Sequence, residues 1–138
     1  EIEENNLIET GRHEVSGDMC DQMGHLTTRV YTALFDEASY ELVKACGYKI
    51  DDEQGFVDLE LNMKFIVEIR EGGKFYIKSG IVNLGNSSFT AMHYMFNADD
   101  DSLISTCEEK AVIFDLKKRK SKPMTEEFKE LASGFLVD

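Results

Sequence analysis

The chain has 138 residues and a mass of 15.7 kDa, and 42% of its residues are hydrophobic. This size suits one domain with a substantial core, so we expect residues 1–138 to form a single domain. The net charge of −12 at pH 7 argues against nucleic acid or an anionic membrane surface as the main partner, because both require a basic footprint.

Local patterns predict the first two elements. A short strand is expected around residues 9–16. From residue 29 to residue 48 apolar side chains recur at three- and four-residue steps, which indicates one long helix with a broad buried face. Thr27 or Thr28 can supply its N-cap, and Gly47 can supply a left-handed C-terminal stop.

Beyond this helix the hydrophobic period changes to two. Apolar residues alternate with polar ones from Val57 to Ile69, interrupted only at Ile66, which predicts a long strand with one apolar face. Turns then separate three further predicted strands, at residues 74–84, 89–97 and 103–116. Thr125 opens a short helix that ends near Gly134.

These elements predict an α+β fold. We expect a five-stranded antiparallel sheet, in which the four strands after the long helix form a meander, that curls around this helix and buries the apolar faces of both. Such a sheet leaves a long free edge, and native proteins pair or cover long edge strands. We therefore expect two copies to join their sheets edge to edge, in a homodimer or homotetramer.

The reactive residue types point to a reducing compartment. Three cysteines, odd in number and widely spaced, indicate neither a disulfide framework nor a zinc cluster, and the three histidines share no metal-ligand spacing. Residues 1–6 are unlike a secretion signal, and no apolar run approaches the roughly 20 residues that span a bilayer. We expect a cytoplasmic protein with no metal, no membrane segment and no cofactor.

The segment from Asp18 to Ala38 runs an acidic loop into the start of the long helix. The first N–H groups of a helix lack internal partners and carry partial positive charge, so they can stabilise an oxyanion. Asp21 precedes Gly24, where ligand and backbone can approach closely. This junction suits acyl transfer with Asp21 as nucleophile or general base. The alternative is that Asp18 and Asp21 only cap turns and complement the helix dipole.

Two stretches are shared with a known family. They are the loop Asp21-Gln22-Met23-Gly24-His25-Leu26 and the helical residues Tyr31 and Phe35-Asp36-Glu37-Ala38, with weaker support from Gly72-Gly73 and Lys122-Pro123-Met124. In these residues the chain resembles the hotdog-fold acyl-CoA thioesterases, in the 4-hydroxybenzoyl-CoA thioesterase-like branch. The Gly-His pair and His93 also resemble the betainyl-CoA thioesterases.

The resemblance implies a thioester hydrolase with an acyl-CoA substrate, a hotdog fold and an active site built between two subunits. Asp21 sits where many members place the catalytic carboxylate. The backbone N–H groups of residues 25–28 match the helix tip that polarises the thioester carbonyl, which makes His25 and Thr28 the other catalytic candidates. Candidate substrate contacts are Gly24, Leu26, Thr27 and Tyr31.

The chain also departs from the family. Many relatives have Asn where this chain has Thr27, and the betainyl-like members carry a tryptophan just before the aspartate, whereas this chain contains none. A cage for a quaternary ammonium group would therefore have to use Tyr31, Phe35, Phe65 or Tyr94.

Several residues allow more than one role. His25 can orient substrate or donate a hydrogen bond, or it can serve only as a structural partner for the loop. His93 shares a strand face with Phe89, Ala91 and Met95, which favours a position in the core or at an interface. Cys20 lacks an identifiable activating base, so a small buried thiol is favoured over a nucleophile.

Lys117, Lys118 and Arg119 belong to a cluster of cations in an otherwise acidic chain. Charges act over about 8 Å at physiological salt, so the cluster can bind the phosphates of coenzyme A locally. The alternatives are a solvated strand end and, less favoured, a localisation or nucleic-acid patch. For the whole protein the rival functions are a non-catalytic hotdog that binds acyl-CoA or scaffolds a complex, and a hotdog dehydratase or hydratase.

Overall fold

A computed structural model of the protein describes residues 6–137. In chain order its elements are β1 (Ile8–Glu14), α1 (Thr28–Ala45), β2 (Gln54–Phe65), β3 (Lys74–Leu84), β4 (Ser88–Asn97), β5 (Leu103–Asp115), β6 (Lys120–Ser121) and α2 (Glu126–Ser133). Residues 1–5, which hold most of the polar start discussed above, and residue 138 lie outside the described part. Neither helix within residues 6–137 has the length and apolar character that a bilayer crossing requires.

The long helix follows its sequence pattern closely. One face of α1 is buried against the sheet, and it carries Tyr31, Leu34, Phe35, Ala38, Ser39, Leu42 and Val43. The helix stops because Gly47, two residues beyond its end, takes φ +78°, a conformation that other residues adopt only with strain. Thr27 is the N-cap residue, but its side chain makes no capping hydrogen bond.

The sheet is antiparallel, with the strand order β1-β3-β4-β5-β2 and with β6 paired to β5. This arrangement, with the long helix, confirms the α+β hotdog class. The predicted meander holds for β3, β4 and β5 but is wrong for β2, which pairs with β5 instead of β3. The reason is that Gly72 and Gly73 bond to Val15, just after β1, and not to β2, so the turn does not close a hairpin.

Strand β2 differs most from its sequence pattern. It ends at Phe65, and a register shift beside Leu59 inserts one residue, which reverses the faces that its side chains occupy. The residues predicted as one buried face are therefore divided between the two faces of the sheet, with Val57 (38% exposed) before the shift and Leu59 (61%) at the inserted position. After the shift Leu61 and Phe65 lie opposite the buried Glu109 and Ser105 of β5, yet they are 42% and 51% exposed. Because β2 is the last strand of the sheet, this apolar surface lies along an open edge.

Candidate active site

A cleft of about 280 Å³ opens at the N-terminal end of α1. Its walls come from the loop before α1, from the first turns of α1 and from the segment that follows β2. The lining residues are Asp21, His25, Leu26, Thr28, Tyr31, Phe65, Ile66, Val67 and Glu68. The first five are site residues predicted from the sequence, which the fold brings into one cleft.

Backbone hydrogen bonds hold the loop against the segment after β2. The Leu26 N–H donates to the Ile69 carbonyl over 3.0 Å, and His25 forms a β-bridge with Arg70. Gly24 takes φ +80°, which lets the loop reverse direction. Gly24 and Thr27 belong to this loop but do not line the cleft.

The two carboxylate oxygens of Asp21 have different surroundings. Its Oδ1 accepts hydrogen bonds from the backbone N–H groups of Met23 at 2.9 Å and His25 at 3.1 Å. This is the turn-capping role that the sequence allowed as an alternative. No described residue donates to Oδ2, so that oxygen is available to a ligand in the cleft.

The helix tip offers fewer donors than the motif implies. The N–H groups of residues 25, 26 and 27 donate to Asp21 Oδ1, the Ile69 carbonyl and the Met19 carbonyl. Among the described residues no acceptor faces the N–H groups of Thr28 and Arg29. The backbone N–H groups that remain for a ligand therefore lie in the first turn of α1 rather than in the loop.

Only two of the four candidate cage aromatics lie in the cleft. Tyr31 and Phe65 meet edge to face with their ring centroids 5.0 Å apart. Burial raises the pKa of the Tyr31 hydroxyl, so this side chain stays neutral at physiological pH. Phe35 is 2% exposed and packs in the core, and Tyr94 stacks with Phe96 in a separate cluster.

Sequence reasoning missed three residues of the cleft, Ile66, Val67 and Glu68. The only local signal was Ile66, which interrupts the alternation where β2 ends. The alternation from Val57 to Ile69 places Glu68 on the polar face of the predicted strand, yet its Oε2 lies 2.5 Å from Nε2 of His25. Within residues 6–137 no three His, Cys, Asp or Glu side chains are grouped so that they could hold a metal ion.

The predicted phosphate-binding cations lie elsewhere in the same chain. Residues 117–119 lie in the turn between β5 and β6, where Lys117 is next to the acidic residues Asp51, Asp52 and Glu53. On β5, Ser105 lies opposite Phe65, at the end of β2 next to the cleft. Asp115, just before the turn with the cations, lies opposite Gln54 at the start of β2. At about 3.3 Å per residue the two positions are about 33 Å apart. One chain alone does not bring these cations to Asp21.

His93 lies in the core, as its strand pattern favoured, and is completely buried. Its Nδ1 lies 2.6 Å from Ser79 Oγ, which lies 2.7 Å from Thr10 Oγ1. Its Nε2 lies 2.8 Å from Glu109 Oε1, and Glu109 Oε2 accepts a hydrogen bond from Ser39 of α1. A polar network thus crosses the core from β1 to β5.

Asp58 extends this network to the edge strand through a carboxyl–carboxyl hydrogen bond with Glu109. Two carboxyl groups can make such a bond only when one of them holds a proton. Burial, the Glu109 hydrogen bond and the Glu109 charge raise the pKa of Asp58 to about 8. Burial lowers the pKa of His93 to about 4, so at neutral pH the ring is uncharged.

Replacing Asp58 with Asn is expected to flatten the pH dependence of the unfolding free energy between pH 6.5 and 8. Between 3.8 and about 8, native Asp58 holds a proton that the unfolded chain has lost, so stability falls as the pH rises. His93 acts in the opposite direction between about 4 and 6.5, which leaves Asp58 alone above that range. The Asn amide still donates to Glu109 but does not titrate.

Urea unfolding at several pH values measures this effect. The matched control is Glu60→Gln, two residues along β2, where the carboxylate pairs with Lys110 at the surface. If the unfolding free energy of Asp58→Asn changes with pH as steeply as that of the unmodified protein, native Asp58 does not hold a proton next to Glu109 in this pH range.

Comparison with known proteins identifies the family. Residues 15–131 match the model of the thioesterase-like superfamily. The chain is similar to a Staphylococcus aureus protein solved in complex with CoA, with TM-score 0.85 and 16% identity over 94% of this chain and 83% of that chain. A 1,4-dihydroxy-2-naphthoyl-CoA thioesterase from Synechocystis has TM-score 0.77 and 12% identity over 89% of this chain and 93% of that one.

A gentisyl-coenzyme A thioesterase is similar with TM-score 0.78 and 20% identity, over 88% of this chain and 97% of that chain. At these identities the structural likeness establishes the fold. The search of curated proteins gives no match. Because the superfamily model spans the whole cleft and most of the chain, the chain belongs to the thioesterase-like superfamily and is a thioester hydrolase.

Proposed function

We propose that this protein hydrolyses an acyl-CoA thioester to a free acid and coenzyme A, with Asp21 as the attacking carboxylate. The observation that carries the proposal is the content of the cleft. The cleft contains Oδ2 of Asp21, to which no described residue donates a hydrogen bond. It also lies at the N-terminal end of α1, where the N–H groups of Thr28 and Arg29 have no acceptor among the described residues. An attacking group and oxyanion donors are the two features that acyl transfer requires.

Asp21 can act by either of two routes. As a nucleophile, Oδ2 attacks the thioester carbonyl, the thiolate of coenzyme A leaves, and water resolves the acyl anhydride. As a general base, Asp21 removes a proton from a water molecule that attacks the carbonyl directly. The N–H groups of Met23 and His25 bond to Oδ1 and fix the orientation of the carboxyl group, which supports attack by Oδ2. The freed thiolate and the acid product leave in both routes.

The substrate-binding role of Lys117, Lys118 and Arg119 requires a second copy of the chain. The open edge of β2 is apolar, and pairing it with the β2 of another copy removes that surface from water. Two antiparallel β2 strands related by a two-fold axis place the start of one opposite the end of the other. The turn at residues 117–119 of the second copy then lies near the cleft, where its cations can bind the phosphates of coenzyme A.

Replacing Leu59 with Glu is expected to convert the dimer into a monomer. Leu59 is 61% exposed on β2, and association would bury the new carboxylate next to Glu60, where its desolvation and the like charge of Glu60 oppose pairing. Sedimentation velocity measures the change. The matched control is Val82→Glu, on β3, where the side chain is similarly exposed at 42% but lies away from this edge. Equal dimer fractions in the two variants would contradict pairing through β2.

The function itself is tested by thiol release from a panel of acyl-CoAs with short, long, branched and aromatic acyl groups. Turnover of at least one thioester supports the proposal. Binding of acyl-CoA without release of thiol by the unmodified protein would support the non-catalytic alternative and overturn the proposal. Loss of enoyl-CoA absorbance without thiol release would support a hydratase instead.

A further inference from the structure

Glu68 and His25 form a side-chain pair at the cleft, and Glu68 lies outside the loop motif of residues 21–26. Glu68 Oε2 lies 2.5 Å from His25 Nε2, and both side chains line the cleft together with Asp21. The neighbouring backbone fixes this arrangement, because the N–H of Leu26 donates to the carbonyl of Ile69. Each of those residues directly follows one member of the pair, so the two side chains are brought together by a short bridge between segments.

The contact at Nε2 determines the tautomer of His25. An ionised carboxylate only accepts hydrogen bonds, so Nε2 carries the proton and Nδ1 is left as an acceptor in the neutral ring. No described residue bonds to Nδ1. His25, which lines the same cleft as Asp21, therefore has one basic nitrogen without a partner among the described residues.

We propose that Glu68 is a positioning residue of the thioesterase site, which holds His25 with Nδ1 unprotonated so that it takes a proton from the water that releases the acyl group from Asp21. This inference rests on the proposed function, in its nucleophilic form. It assigns separate residues to the two halves of the reaction: Asp21 forms the acyl anhydride, and the His25–Glu68 pair promotes its hydrolysis.

The second half-reaction balances as follows. The water oxygen forms a bond to the acyl carbon, and one water proton moves to Nδ1 of His25. The bond between that carbon and the Asp21 oxygen breaks, which yields the free acid and restores the carboxylate. The imidazolium then gives its proton to the thiolate released in the first half. One water and one thioester thus give one acid and one thiol.

Replacing Glu68 with Ala is expected to lower kcat by between about tenfold and a hundredfold and to leave KM nearly unchanged, because the ring loses its orientation while acyl-CoA contacts remain. Glu68→Gln is expected to retain more activity, since its amide oxygen still accepts from Nε2. The matched control is Glu71→Ala, an exposed carboxylate in the same segment that does not line the cleft, and it leaves kcat unchanged.

A double-mutant cycle separates positioning from a general structural effect. If Glu68 acts through His25, Glu68→Ala causes no further loss of kcat in a His25→Ala background. Glu68→Ala is also expected to release a stoichiometric burst of thiol before slow turnover, as acylated Asp21 accumulates. Additive losses in the cycle, or slow turnover without a burst, would overturn the proposal.

Failure of this inference can be distinguished from failure of the proposed function. If the unmodified protein releases thiol but the cycle is additive, the function stands and the role of Glu68 is overturned. If no thioester is turned over, the tautomer is measured without substrate from the ring-nitrogen chemical shifts of His25. A spectrum dominated by the Nε2–H form that becomes mixed in Glu68→Ala supports the positioning role, and identical spectra overturn it.

Discussion

Asp21→Asn is expected to lower kcat for acyl-CoA hydrolysis by about 10²- to 10⁴-fold while the protein stays folded. The amide oxygen of Asn still accepts the N–H groups of Met23 and His25, so the loop keeps its shape. The group without an internal donor, Oδ2, is replaced by an NH₂ group that neither attacks a carbonyl nor removes a proton. Thiol release at saturating acyl-CoA measures the loss.

The matched control for this variant is Asp18→Asn in the same acidic loop. Asp18 is exposed, accepts a hydrogen bond from Ser16 and does not line the cleft, so its replacement leaves kcat unchanged. Near-normal activity in Asp21→Asn would show that this carboxylate only caps the loop. Equal losses in the two variants would point to a general effect of loop charge.

Glu109→Leu is expected to cause the largest loss of stability, about 3–5 kcal/mol in the free energy of unfolding. Glu109 is 1% exposed and accepts hydrogen bonds from His93, Ser39 and Asp58. Removing this acceptor leaves two buried donors, His93 and Ser39, without a partner, whereas every buried side-chain nitrogen and oxygen of the described residues is hydrogen-bonded in the unmodified protein. Urea denaturation monitored by circular dichroism measures the change.

The comparison variant is Glu108→Leu, the preceding residue on β5, whose side chain points to the other face of the sheet and is half-buried. Its replacement breaks no hydrogen bond seen in the described residues, so a small change in stability is expected. Glu109→Gln should fall between the two, because one acceptor oxygen remains while the NH₂ group faces a donor. A Glu109→Leu variant as stable as Glu108→Leu would contradict the network.

Local sequence determined the long helix, strands β3 to β5 and the loop at Asp21. The helix was predictable because its buried residues recur every three or four positions, and its end was predictable from Gly47. The loop was recognisable because its residues lie within six positions of one another and carry a family pattern. Each of these features depends on residues close together in the chain.

The tertiary structure alone decided where β2 pairs, which of its faces is buried and which residues complete the cleft. One inserted residue beside Leu59 reverses the faces of the strand, and only the register with β5 reveals that insertion. Glu68 meets His25 because the backbone N–H of Leu26 donates to the carbonyl of Ile69. This hydrogen bond joins two segments that are more than 40 residues apart in the chain. Such contacts form when distant segments fold together, and no periodicity within either segment encodes them.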